Sequence, residues 1–383
     1  MAKRRPNGAG SITRRKDGTY HGRAYVTTTE GVLKRVSRYG KTYDEVAEKL
    51  AKLLELESKG VPTPDKAWKV GPYLTYWLAE IVQPNQRPTT YDKYESMARL
   101  HLIPKLGTKR LTKLGIADVR TFLRQTKAEG VGASTRLECM KVLRNALNRA
   151  MREELLLRNV ASLVDMPSVD SKEIIPWSAQ EAIDFLRSTR PHRMHAAFVL
   201  ALVLGLRRGE LLGLRWIDLD LDQGVAHPRK QVQRQKGAGL VLVDLKTEAS
   251  KGALPLPLLC IETLGECRRL RELEKAKAGE KWTELGLVFG TETGGLFDPD
   301  HFSQTFQRRV KRSRLRRVRL HDTRHTCGSL LAWLGVHPKD AQKILRHSQI
   351  KTTLDIYTHV TTESQRAAAA KISAKLRDGM QGR

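Results

Sequence analysis

The chain of 383 residues carries 69 Lys and Arg against 41 Asp and Glu. The resulting formal charge of +28 points to a polyanionic partner such as nucleic acid. The length exceeds what one ordinary core serves, so two or three domains are expected. The apolar run "AAFVLALVLGL" stops at Arg207 and Arg208, short of a bilayer span, and "MAKRRPNGAGS" has charge with no apolar stretch behind it, unlike a secretory signal; a soluble cytoplasmic chain with no membrane partner is expected.

Residues 1–62 read as a small sheet closed by one helix. "GSITRRKDGTYHGRAYVTT" has two extended runs around Lys16-Asp17-Gly18, a hairpin signal, and "VLKRVSRYG" supplies a third run. In "TYDEVAEKLAKLLELESKG", Thr42 and Glu45 form a capping box, and Val46, Leu50, Leu53 and Leu54 form an apolar stripe. The cations here, among them Arg14, Arg15, Lys16 and Arg23, add nothing to a bare scaffold and suit a sheet lying in a DNA groove.

After the linker "GVPTPDKAW", residues 66–165 read as all-helical: "VGPYLTYWLAEIV", "TTYDKYESMARLHLI", "GIADVRTFLRQTKAEG" and "ASTRLECMKVLRNALNRAMREELL". In the last, Leu137, Met140, Val142, Leu143, Leu147 and Met151 are the expected buried side, and Arg144 lies among the cations of the other. A second linker, "PSVDSKEIIPW", leads into residues 174–383, which mix helices with a short β region. Ser178 and Glu181 cap the first helix there. The fold class expected is thus multidomain, mainly α with small β-sheets.

The chemistry gathers in this third segment. In "ALVLGLRRGELLGLRW", Arg207 and Glu210 lie three apart beside the core positions Leu211, Leu212 and Leu214; an arginine among apolar neighbours needs a paired or bound anion. Arg208 is the exposed alternative, and spacing does not decide between the two. In "GLVLVDLKTEASKGALPLP", extended runs at 240–245 and 253–256 flank a polar turn with Lys246 at its start, either solvated or reaching into a groove to donate a proton. "LHDTRHT" sets His321 and Arg324 on one helix face, "AQKILRHSQ" ends on His347, and "TTLDIYTHV" holds Tyr357, a core residue or a nucleophile.

The four cysteines are scattered, which argues against a disulfide scaffold. His321 and His325 have helical zinc spacing, but Asp322 stands where the metalloprotease pattern needs Glu, and no carboxylate cluster serves a divalent ion. Two arginines, a lysine, two histidines and a tyrosine suit phosphoryl transfer on nucleic acid without a metal.

The order "GLRRGE", "LKT", "HDTRH", "LRHS", "TTLDIYTHV" resembles the tyrosine recombinases, the phage-type integrases, and the resemblance covers almost the whole chain. It implies an arm-type DNA-binding domain at 1–62, a core-binding domain at 66–165 and a catalytic domain at 174–383 with a C-terminal helix, "ESQRAAAAKISAKL", that either packs on its own domain or docks onto a neighbouring protomer. It implies Arg207, Lys246, His321, Arg324, His347 and Tyr357 as catalytic residues, with Glu210 as structural companion of Arg207 and His325 and His359 structural. The glycine that often precedes the second histidine is Arg346 here, a departure expected to touch the local turn more than the chemistry. The implied reaction is DNA strand transfer through a 3′-phosphotyrosine, with no metal, ATP or cofactor. Implied partners are duplex attachment sites and a synaptic tetramer of the chain itself, with an excision directionality factor and a host DNA-bending protein as optional further partners. Arg308 and Arg309, in the basic run before the H-x-x-R box, are expected to track the DNA backbone. Type IB topoisomerases share the residue set but need no second DNA address, and a non-catalytic DNA-binding regulator leaves the ordered set unexplained.

Overall fold

The protein, a computed structural model, is described over residues 10–27, 33–58, 68–169, 175–245 and 248–357, with short helical pieces at 369–370, 372–374 and 377. It forms two compact units, Met1–Ser171 and Lys172–Arg383.

The first unit begins with an antiparallel sheet of β1 (Ser11–Arg14), β2 (Tyr20–Thr27) and β3 (Leu33–Gly40), in the order β1-β2-β3. The first hairpin closes as its sequence dictates: Asp17 accepts hydrogen bonds from the Thr19 N–H and hydroxyl, and Gly18 takes φ +82°. Helix α1 (Tyr43–Ser58) packs Val46, Leu50 and Leu53 against Ala24 and Val26. Gly22 sits under it, where a Cβ would come within 2.5 Å of Val46 Cγ1. Alternation along β2 sends Tyr25 outward, 58% exposed, so the sheet has one packed and one open face.

The rest of this unit is helical, as expected. Helix α2 (Val70–Tyr76) runs through a wider π-type turn at Trp77–Val82 into α3 (Gln83–Asn85), and α4 (Pro88–Met97) runs likewise through Ala98–Leu102 into α5 (Ile103–Leu106). Helices α6 (Ile116–Ala128) and α7 (Ala133–Arg152) complete it. Their apolar faces share one core that includes Tyr73, Trp77, Leu102, Phe122, Met140, Leu143 and Leu147. On α7 the buried stripe also takes Cys139, Ala146 and Ala150, while Met151, expected inside, lies 37% exposed on the last turn and Leu137 is half-buried.

The second unit opens with α8 (Ala179–Thr189), capped by Ser178 and Glu181 as read from sequence. Helix α9 (His195–Val203) is buried from Ala196 to Leu202, which explains its unbroken apolar run. A turn at Gly205 leads to α10 (Arg208–Leu212). Short strands β4 (Leu219–Asp220), β5 (Val225–Ala226) and β8 (Leu254–Pro255) make one antiparallel sheet, while β6 (Lys230–Gln235) and β7 (Gly239–Asp244) make another. The runs expected to flank Lys246 as a hairpin therefore lie in different sheets. The partner of β7 is "KQVQRQ", whose polar residues hide its strand character, and the tight turn is made by Gly237 and Gly239 at φ +80° and +74°.

Long α11 (Leu258–Ala278) and α12 (Pro299–Arg312) cover this core, where Trp177, Phe185, Phe198, Phe302 and Phe306 stack together. Helices α13 (Asp322–Trp333), α14 (Pro338–Leu345) and α15 (Ile350–Tyr357) close on a smaller core of Cys327, Leu345 and Ile356. The expected C-terminal helix lies largely outside the described residues.

Candidate active site

The turn after α9 builds the first half of the site. Gly205 adopts φ +59°, and a Cβ there would meet Leu345 Cδ2 at 2.7 Å. The chain then extends through Arg207, the N-cap of α10 (φ −70°, ψ 148°). Buried Glu210 accepts from the Arg207 backbone N–H at 3.1 Å and from Arg207 Nη1 at 2.8 Å. Arg207 Nη1 also reaches Ser250 Oγ at 3.3 Å, leaving its side chain 37% exposed. The adjacent Arg208 turns away to α12, donating to Asp300 at 2.8 Å and Ser303 at 2.9 Å.

The second half comes from α13 and the α14–α15 connection. Arg324, on the first turn of α13, is buried and donates through Nη1 to the Gly205 carbonyl at 2.6 Å, through Nη2 to the Leu345 carbonyl, and through Nε to His347 Nε2 at 3.3 Å. His347 Nδ1 faces Thr353 Oγ1 at 2.9 Å. Both ring nitrogens of His347 are thus engaged, and the ring holds Arg324 in orientation. Arg346, whose importance sequence reasoning missed, enters the same cluster. Its backbone is left-handed (φ 52°, ψ 47°), and its buried guanidinium donates to the Ser250 carbonyl at 2.6 Å and to Glu210 Oε2. The one signal was a cation at a glycine-like turn position. Ser250 was also missed, since a serine in a polar turn has no periodicity to mark it.

Burial, then the neighbouring Arg207, pushes Arg324 down to about 9, so it remains charged at neutral pH. Burial and the Arg324 and Arg207 charges push His347 down to about 4, leaving it neutral. His321, the exposed residue preceding α13, stacks edge-on with His325 at 5.7 Å between ring centroids. Loss of hydration, then His325 and Arg324, hold it below its ordinary 6.5.

Tyr357 is not brought to this cluster. Its hydroxyl donates to the Val336 carbonyl at 2.9 Å, and partial burial raises its pKa above 10. Val336 follows the end of α13, where its N–H donates to the Leu331 carbonyl at 3.0 Å, whereas Arg324 sits on the first turn of that helix. Lys246 and His359 lie outside the described residues.

The basic candidates divide. Arg23 lies on the open face of the N-terminal sheet with His21 and Tyr39, whose rings stack at 4.5 Å. Arg15 covers Tyr39 and pairs with Asp17 at 3.2 Å. Lys16 is exposed in the turn. Arg14 sits over Tyr20, whose ring packs on Tyr43 of α1, so it belongs to the helix side. Arg144 is spent on the Ala161 and Val164 carbonyls, 2.8 and 2.5 Å away, and holds the chain after α7. Arg308 donates to Thr305 at 3.0 Å, and Arg309 lines a cavity of about 570 Å³ with Leu240 and Phe297. Later in the run, Arg316 pins the Ile175 and Pro176 carbonyls and Arg319 pairs with Asp322.

Among the described residues no group of three or more His, Cys, Asp and Glu gathers as a metal site would, and no helix is long and apolar enough to cross a membrane. What the cluster offers is two fixed guanidiniums, one partly open to solvent, that can grip the oxygens of a phosphodiester.

Two family models match the chain: the phage integrase family over residues 176–364, and the phage integrase N-terminal SAM-like domain over residues 70–125. A tyrosine recombinase XerC-like protein of Caldanaerobacter subterraneus subsp. tengcongensis is 27% identical over 386 residues, covering 94% of this chain and 97% of its own. The solved structure of the Tn1549 transposon integrase with transposon right end DNA is similar with a TM-score of 0.69 at 22% identity, over 80% of this chain and 99% of that one. A lambda integrase tetramer bound to a Holliday junction matches with a TM-score of 0.55 at 18% identity, over 92% and 96%. The chain belongs to the tyrosine recombinase family, whose members catalyse DNA strand exchange.

Proposed function

We propose that this recombinase cuts and rejoins duplex DNA at attachment sites to integrate and excise a mobile element or prophage, with Tyr357 as its nucleophile. The observation that carries the reading is the convergence of Arg207, Glu210, Arg324 and His347 from segments far apart in sequence. A scaffold has little use for buried guanidiniums in excess of carboxylates, whereas a phosphate does.

In this reading Arg207 and Arg324 hold the two non-bridging oxygens. The Tyr357 phenol leaves the Val336 carbonyl, enters the site and attacks phosphorus in line, giving its proton to His321, which is neutral at pH 7. His347 steadies Arg324. Lys246 protonates the departing 5′ oxygen. The products are a 3′-phosphotyrosine and a free 5′-hydroxyl, and attack by a 5′-hydroxyl from a second duplex reverses the step, so neither ATP nor metal enters the balance.

Residues 1–62 serve as the arm-type domain, 66–165 as the core-binding domain and 174–383 as the catalytic domain, with Arg15, Lys16 and Arg23 the cations best placed at an open sheet face. The charge of +28 favours phosphate contacts throughout. Four protomers assemble on two duplexes in the cytoplasm, as the lambda integrase tetramer does on its junction.

The test is Tyr357→Phe with a nicked suicide duplex. The variant should bind that DNA as the unchanged protein does and form no covalent adduct; equal adduct in both proteins overturns the assignment.

A further inference from the structure

Arg346 is expensive where it stands. A left-handed backbone disfavours every side chain except glycine's, and here that backbone carries a guanidinium only 3% exposed. One of its donors, Nε, is buried without a partner. The turn geometry would be served by glycine, so the reason for an arginine lies in what its two terminal nitrogens touch. Nη1 donates to the Ser250 carbonyl at 2.6 Å, and Nη2 donates to Glu210 Oε2, the oxygen that also accepts the Arg207 N–H. The other oxygen, Oε1, holds Arg207 Nη1 at 2.8 Å. Glu210 therefore bridges two guanidiniums, and its one negative charge is shared between them.

We infer that Arg346 is a positioning residue: it neutralises Glu210, so that Arg207 is oriented by that carboxylate without losing its positive charge to it. The inference rests on the recombinase reading above. A phosphodiester brings one negative charge and its five-coordinate transition state two. Arg207, Arg324 and Arg346 set against Glu210 leave a surplus of two positive charges; without Arg346 the surplus falls to one, and the loss is felt most in the transition state. The Arg346 carbonyl, 3.5 Å from Arg207 Nη2, adds a second tether to the same guanidinium.

The experiment measures single-turnover cleavage of a suicide duplex at saturating DNA, with DNA affinity and thermal melting in parallel, for the unchanged full chain, R346G, R346K, E210Q and R346G/E210Q. R346G suits the left-handed turn and should fold and bind DNA as before, while its cleavage rate constant falls on the order of 10²-fold. R346K, which keeps the charge but not the fork, should recover part of that loss and stands in should R346G not fold. In the E210Q background, where no carboxylate needs neutralising, removing Arg346 should slow cleavage less than tenfold. Cleavage by R346G within twofold of the unchanged protein, or an equal loss in both backgrounds, overturns the inference. Absence of adduct from the unchanged protein would instead sink the recombinase reading and this inference with it.

Discussion

Replacing Arg324 by Met tests whether the cluster is built for stability or for an anion. Burial and Arg207 bring this guanidinium from 12.5 down to about 9, which corresponds to roughly 5 kcal/mol against the charged form at 1.36 kcal/mol per pKa unit. Because the folded-state value is the lower one, that penalty is complete at neutral pH and fades only as pH rises above about 9. Opposing it are hydrogen bonds to the Gly205 and Leu345 carbonyls and to His347 Nε2, together roughly 4–7 kcal/mol for a charged donor. The two nearly cancel. Arg324→Met should therefore change unfolding free energy by less than about 2 kcal/mol, against the 3–5 kcal/mol typical of breaking a buried ion pair. Cleavage should nonetheless fall by at least about 10²-fold. Urea titration followed by tryptophan fluorescence gives the first number and suicide-substrate kinetics the second. A destabilisation near 4 kcal/mol with cleavage retained would refute the reasoning, since Arg324 would then be a structural tie.

His321 must be neutral to accept the phenol proton, and its surroundings hold it below 6.5; cleavage should be level at pH 7 and decline as pH drops beneath that value, and His321→Gln should remove this acid limb from the rate profile. Adduct formation should persist in EDTA, and a strict magnesium requirement would contradict the proposed mechanism. Deleting residues 1–60 should spare cleavage at core sites but weaken binding to distant arm sites, as gel shifts on each duplex would register; full integration efficiency without them would remove the arm assignment. Phe198→Ala, in the middle of the aromatic stack, should destabilise the protein by about 3–5 kcal/mol in denaturant titration.

Periodicity and caps made the helices legible: Val46, Leu50 and Leu53 are buried as their spacing requires, and Ser178 with Glu181 starts α8. The β region was read less well, because "KQVQRQ" pairs through its backbone while its side chains look like those of a loop. Within the site, motif order named residues that long-range folding does bring together, namely Arg207, Glu210, Arg324 and His347. Spacing alone could not decide between Arg207 and Arg208, a choice made only by the resemblance, because it depends on which guanidinium meets Glu210 and which meets Asp300. Nor could it foresee Arg346, whose role depends on a carboxylate distant in sequence, or Arg144, which serves carbonyls of its own domain. The resting place of Tyr357 against Val336 is likewise a tertiary fact.

The most direct measurement is to trap the protein on a suicide duplex, digest the covalent complex and sequence the peptide that carries DNA. A 3′-phosphate linked to Tyr357 is the predicted result. A linkage at any other residue, or no linkage under conditions where the protein binds and nicks its site, would contradict the proposed chemistry.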